Sequence, residues 1–162
     1  MTLADTGAKT LKGARLKKIE KYIDDDLFLM TYGDCLGNID IPSLIKFHRS
    51  HGKITTITGI NPISRYGEIK YEGNKVIRFS EKPRDAKSLV NGGFMVFNKG
   101  VFDYLTDKDD CDLEYGPFEK MASDGQLMIY KHEGFWACMD TIRDMEYLNQ
   151  LWDSNKAGWL FN

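Results

Sequence analysis

Apolar positions along the chain switch between two periods. Leu11, Ala14, Leu16, Ile19 and Ile23 recur near helical spacing, with Lys12, Lys17, Lys18 and Lys21 mostly opposite, which predicts an amphipathic helix with a solvated lysine face from Thr10 onward. Before it, residues 1–7 read as the end of a strand with a turn behind it. The apolar run Leu27 to Met30 predicts a buried strand that ends on Thr31-Tyr32-Gly33-Asp34. Asp40-Ile41-Pro42 then offers an N-cap with proline in the first turn, and the helix it opens stops at Gly52. The β-branched run Lys53 to Ile60 predicts a second, central strand.

Tyr66 to Tyr71 and Lys75 to Phe79 flank Glu72-Gly73-Asn74 and predict a hairpin. A strand over residues 89–98 carries Asn91-Gly92-Gly93, and paired glycines in a strand indicate close approach of another backbone or a ligand. Residues 98–105 and 114–122 read as helical, separated by an exposed acidic stretch over 107–112. Strands follow over 126–132 and 134–139, and a last helix runs from about Asp140 to Ser154. Strands alternating with helices predict an α/β fold with a mostly parallel sheet and one inserted hairpin.

With 162 residues, 42% hydrophobic and 12% aromatic, the chain suits one domain with a real core. A net charge of -2 and the lack of a basic block argue against nucleic acid or an anionic membrane as a partner. No apolar run is long enough to span a bilayer, so a cytoplasmic protein is expected. Cys35, Cys111 and Cys138 are an odd set without CxxC spacing, which points to buried or idle thiols. His48 and His51, three apart near a helix end without a third ligand, read as surface groups.

Two aspartates, Asp34 and Asp140, each end a predicted strand. Carboxylates converging above a sheet form a hard oxygen site suited to Mg²⁺, although Asp140 is equally placed to cap the helix behind it. Lys82, held between Glu81 and Pro83, could meet a phosphate as a point charge, although such a lysine is more often simply solvated, and Glu81 and Asn91 carry groups suited to sugar hydroxyls.

The ordered set Tyr32-Gly33-Asp34, Tyr66-Gly67, Glu81-Lys82-Pro83, Asn91-Gly92-Gly93-Phe94 and Phe135-Trp136-Ala137-Cys138-Met139-Asp140-Thr141 resembles the sugar-nucleotide pyrophosphorylases, a nucleotidyltransferase family. The likeness is greatest to their glucose-1-phosphate cytidylyltransferase branch and covers about Thr2 to Trp159. It implies a Rossmann-like nucleotidyltransferase fold. Asp34 and Asp140 would hold Mg²⁺, and Lys82 would contact the phosphate of glucose 1-phosphate, so that Asp34 and Lys82 are the catalytic pair. Gly67, Glu81 and Asn91 would recognise the sugar, and Gly13 and Arg15 fall in the segment near the nucleotide. The reaction implied is attack by the sugar phosphate on CTP, giving CDP-glucose and pyrophosphate, in an enzyme that forms homo-oligomers.

Three departures accompany the match. The family's glycine-rich GxGTRL loop has no counterpart, so residues 1–162 are expected to be a partial nucleotidyltransferase domain without its first strands and inactive alone. Cys35 stands where the family often has glycine, and Lys12 and Ala14 replace residues of its usual TGGR. Another nucleotide and sugar specificity, and a non-catalytic sugar-phosphate-binding module, are the alternative readings.

Overall fold

The computed structural model describes residues 1–61, 68–80 and 89–160. The expected sites Gly67, Glu81 and Lys82 lie outside these residues.

Four strands make the main sheet: β1 (Leu27–Thr31), β3 (Thr55–Ile60), β6 (Val90–Asn98) and β7 (Leu127–His132), in the order β1-β6-β3-β7. β3 pairs with β7 in parallel, whereas β6 runs antiparallel to both β1 and β3. Three of the four strands therefore point the same way, and the α/β sheet is mostly parallel in strand direction with β6 reversed at its centre. β2 (Cys35–Gly37) and β8 (Trp136–Cys138) form a separate antiparallel ribbon. β4 (Glu68–Glu72) and β5 (Lys75–Ser80) form the expected hairpin, turned at Gly73 with φ +56°.

Helices follow local chemistry. In α2 (Ile41–His51) Asp40 accepts from the Ser43 amide at 3.0 Å, Pro42 lies in the first turn, and Gly52 closes the helix in the left-handed region. α4 (Ile142–Asp153) starts with a reciprocal box between Thr141 and Asp144. The capping role open to Asp140 therefore belongs to Thr141, and Asp140 sits before the helix.

The core has two parts. On one side of β6, Met95 and Phe97 pack with Leu16, Val101, Phe102, Leu113 and Met121; on the other, Val96 meets Ile39, Leu44 and Ile60. Alternation along β6 sends successive side chains to opposite faces, which is why its whole centre is apolar.

Several expectations change. Residues 1–7 form no strand: no ladder partner meets them among the described residues, and Asp5 instead accepts from the Gly7 amide at 2.9 Å. The first helix is shorter than its apolar period, with α1 (Lys12–Lys18) passing through Ile19 at φ -95°, ψ 0° into a 3-10 turn over Glu20–Tyr22. The helical stretch expected over 98–105 is present as a 3-10 helix, Lys99–Tyr104. The helix expected over 114–122 is broken by Tyr115 and by Gly116 at φ +97°, with Pro117 next, and regular α3 covers only Glu119–Ser123.

The acidic segment is also tied down. Asp109 accepts from Thr10 at 2.8 Å and from Lys18 at 2.6 Å, strapping it to α1. Finally, β1 is an edge strand with Leu29 exposed, and His48 is buried at 1% exposure rather than on the surface. A relay meets one nitrogen, Nδ1, of the buried ring. The Lys53 amide donates to His51 Nδ1, so neutral His51 donates from Nε2 to Thr56, whose hydroxyl is then free to donate to His48 Nδ1.

Candidate active site

A cleft of about 730 Å³ opens where the end of β1 meets the β2–β8 ribbon. The ribbon explains why distant residues meet. Its register pairs Cys35 with Cys138 and Gly37 with Trp136, and one bond beyond it the Met139 amide donates to the Asp34 carbonyl at 2.8 Å. Asp34 and Asp140 therefore come off the same end of one two-stranded element, and both line the cleft. Asn91, at the start of β6, lines it as well.

The Asn91-Gly92-Gly93 segment is shaped by its neighbours. Asn91 Oδ1 accepts from the Gly93 amide at 3.0 Å, and Gly93 takes φ +77°, which favours glycine. A Cβ on Gly92 would lie 2.4 Å from the Ile60 side chain, and one on Gly93 would lie 3.1 Å from the Tyr32 ring. Side chains of this protein, and not a second backbone, make the close approach. The indole N–H of Trp136 donates to the Gly92 carbonyl at 2.8 Å, fastening the ribbon to β6. β3 and β6 shift register between Ile57 and Gly59, opposite this segment, as bulges beside functional sites do.

One wall carries a network that the sequence did not reveal. Lys12 Nζ lies 3.0 Å from Glu114 and 3.6 Å from Asp112, and stands over the Tyr32 ring at 5.8 Å. The Tyr32 hydroxyl donates to Glu114. Burial, with Glu114 next to it, pushes the Tyr32 hydroxyl well above its usual range, so it stays a neutral donor. The Lys12 ammonium is held above its ordinary value by Glu114 and Asp112, which outweigh the opposing effect of partial burial. Lys12 is therefore a protonated cation at the cleft wall whose charge is met by the Glu114 and Asp112 carboxylates.

Cys35 and Cys138 face each other on the ribbon, their sulfurs 3.6 Å apart. Burial raises both thiols, Cys35 further by its contacts with Cys138 and Asp34 and Cys138 further by Asp140. Neither is activated as a nucleophile in this state.

Gly13 and Arg15 lie elsewhere. Gly13 is buried on α1, where a Cβ would meet the Asp112 carbonyl oxygen and the Cys111 sulfur, each at 2.9 Å. Arg15 donates to Thr6 Oγ1 at 2.7 Å and is exposed. Neither lines the cleft, whereas their neighbour Lys12 does.

Residues 8–154 match the family described as nucleotidyl transferase. The chain belongs to that family. It is 43% identical over 160 residues to a glucose-1-phosphate cytidylyltransferase of Salmonella typhi, covering 98% of this chain and 62% of that protein. The chain thus spans less than two thirds of that relative's length. Among solved structures it resembles HddC from Yersinia pseudotuberculosis, with a TM-score of 0.65 at 20% identity, over 88% of this chain and 62% of that one. It also resembles the inositol-1-phosphate CTP transferase from T. maritima, with a TM-score of 0.60 at 17% identity, over 94% and 65%. These likenesses establish the nucleotidyltransferase fold for this chain.

Within that family fold, the donor set suits a hard divalent cation. Asp34 and Asp140 are exposed carboxylates that both line the cleft, and Mg²⁺ takes one or two carboxylates and completes its shell with water and phosphate oxygens. No described helix is long and apolar enough to cross a membrane.

Proposed function

We propose that the whole protein transfers CMP from CTP to glucose 1-phosphate, forming CDP-glucose and pyrophosphate in the cytoplasm, with Mg²⁺ held by Asp34 and Asp140. A phosphate oxygen of the sugar phosphate bonds to the α-phosphorus of CTP while the bond from that phosphorus to the bridging oxygen breaks and pyrophosphate leaves. Such a transfer needs alignment and charge neutralisation more than covalent help from the protein. Bound Mg²⁺ supplies Lewis-acid stabilisation of the phosphate oxygens.

The protein's own groups do the rest. Asn91 offers an amide to sugar hydroxyls, and Lys12, held by Glu114 and Asp112, offers ammonium donors at the same cleft. Glu81, Lys82 and Gly67, outside the described residues, complete the sugar-phosphate contacts in this reading. Gly13 supports the nucleotide side through tight packing of α1 on the segment around Asp112, and Arg15 through its hold on the loop at Thr6.

One observation carries the proposal. In a chain 43% identical to a cytidylyltransferase, the ribbon brings Asp34 and Asp140 to a single cleft that also contains Asn91. The test is pyrophosphate release by the whole protein with Mg²⁺ and glucose 1-phosphate, comparing CTP with UTP, dTTP and GTP. CTP is expected to give the highest kcat/KM. Release with another of the four at equal or higher kcat/KM contradicts the nucleotide assignment, and no release with any contradicts the reaction.

A further inference from the structure

Cys35 and Cys138 lie 103 positions apart in the sequence. The ribbon register makes them directly opposite neighbours. The Met139 amide bonds to the Asp34 carbonyl and the Asn38 amide to the Phe135 carbonyl, which puts Cys35 and Cys138 at a non-hydrogen-bonded pair. Facing side chains are closest at such pairs.

The carboxylates sit at the same point. Cys35 Sγ is 3.3 Å from Asp34 Oδ1, and Cys138 Sγ is 3.2 Å from Asp140 Oδ1. Asp34, Cys35 and Cys138 each present one ligand atom, and the three lie within 4.8 Å of one another. Zinc bonds of about 2.3 Å to sulfur and about 2.0 Å to oxygen set tetrahedral edges of about 3.8 Å between sulfurs and about 3.5 Å between sulfur and oxygen. The sulfur pair at 3.6 Å and the Cys35–Asp34 contact at 3.3 Å are within a few tenths of an ångström of those edges.

We propose that Asp34, Cys35 and Cys138 form a binding site for a thiophilic divalent cation of the zinc class, with a fourth position open to the cleft. On coordination each thiol releases its proton to solvent and binds as thiolate. Soft sulfur ligands favour zinc-class ions, while Mg²⁺ prefers oxygen alone. Sharing Asp34, the two kinds of ion exclude each other, so a zinc-class ion acts as an inhibitor of any Mg²⁺-dependent reaction at this cleft. The thiol site rests on the ribbon geometry, and only the inhibitory consequence rests on the proposed transfer reaction.

The test titrates Cd²⁺ into the whole protein, stripped of metal and kept reduced, and follows the ultraviolet charge-transfer absorption of cadmium–thiolate bonds. The expected result is a band that saturates near one equivalent, persists in Cys111→Ser, and resists a large excess of Mg²⁺. Cys35→Ser and Cys138→Ser should each halve the band or abolish it and weaken binding at least about tenfold. Zn²⁺ should also shield Cys35 and Cys138 of the unsubstituted protein from alkylation while leaving Cys111 unshielded, a readout independent of how the variants fold. Absence of a saturable band, a band unchanged in both serine variants, or equal alkylation of Cys35 and Cys138 with and without Zn²⁺ overturns the site. Neither readout needs nucleotide or sugar phosphate, so failure of the transfer reading and failure of this site are separately visible.

Discussion

The Met139 amide donates to the Asp34 carbonyl at 2.8 Å, and this backbone bond sits between the two carboxylates proposed to hold Mg²⁺. Asp34 belongs to the turn after β1 and Asp140 to the step before α4, and the bond extends the β2–β8 ladder by one pair to the point where the two segments part. Because the contact is backbone to backbone, the Met139 side chain, which is exposed, does not make it. Met139→Ala should therefore leave Mg²⁺-dependent turnover within about twofold. Met139→Pro removes the donor, and one hydrogen bond worth about 1 kcal/mol corresponds to at least about a fivefold loss. Steady-state turnover of the two variants, with circular dichroism to verify folding, checks the contrast.

The Gly92-Gly93 pair shapes the site by omission of side chains. Gly93→Ala must enter the left-handed region beside the Tyr32 ring and should lower stability by about 1–2 kcal/mol. Gly92→Ala drives a methyl into Ile60 and Thr58 and should lower it by about 1–3 kcal/mol. Urea unfolding measures both. Equal stability of either variant and the parent would contradict the packing described.

His48 makes stability depend on pH. Burial lowers its affinity for protons, and His51 is lowered as well, first by burial and then by His48 and Lys53. Below the ordinary histidine value of about 6.5 the unfolded chain binds more protons than the folded one, so stability rises with pH there. The contribution is complete above that value and is lost as pH falls through the lowered folded values. Denaturant midpoints should drop between about pH 7 and pH 5, and His48→Leu should flatten that slope relative to the parent.

How much of this was legible in the sequence depends on whether the determinant was local. The cap at Asp40 and the stop at Gly52 are written in adjacent residues, and α2 matches its expected bounds. The Gly73 turn likewise marks the hairpin. By contrast, the reversal of β6 between two co-directed strands follows from pairings across the chain, which neither period nor composition encodes. His48 looked like a surface group because its partner Thr56 is on another element.

The site divides the same way. Asp34, Asn91 and Asp140 stood out through the order of their motifs, and the cleft unites them. The network of Lys12, Tyr32 and Glu114 did not: Tyr32 belongs to the first motif, but its contact with Glu114 spans 82 positions, and Lys12 resembled other lysines on a solvated helix face. The break at Gly116-Pro117, just after Glu114, was the available local signal that this stretch is shaped for a contact and not for a regular helix. The thiol pair was invisible for the same reason: only the β2–β8 register brings Cys35 to Cys138.

In the proposed reaction Asp34 and Asp140 act together on one metal. The decisive measurement is the Mg²⁺ dependence of pyrophosphate release from CTP and glucose 1-phosphate by the whole protein, its Asp34→Asn and Asp140→Asn variants, and the double variant. Each single exchange should lower kcat at least about a hundredfold, and the double variant should lose little more than the worse single, because groups that act as a unit are not additive. Either single variant retaining turnover within about twofold of the parent at the same Mg²⁺ concentration would contradict the account.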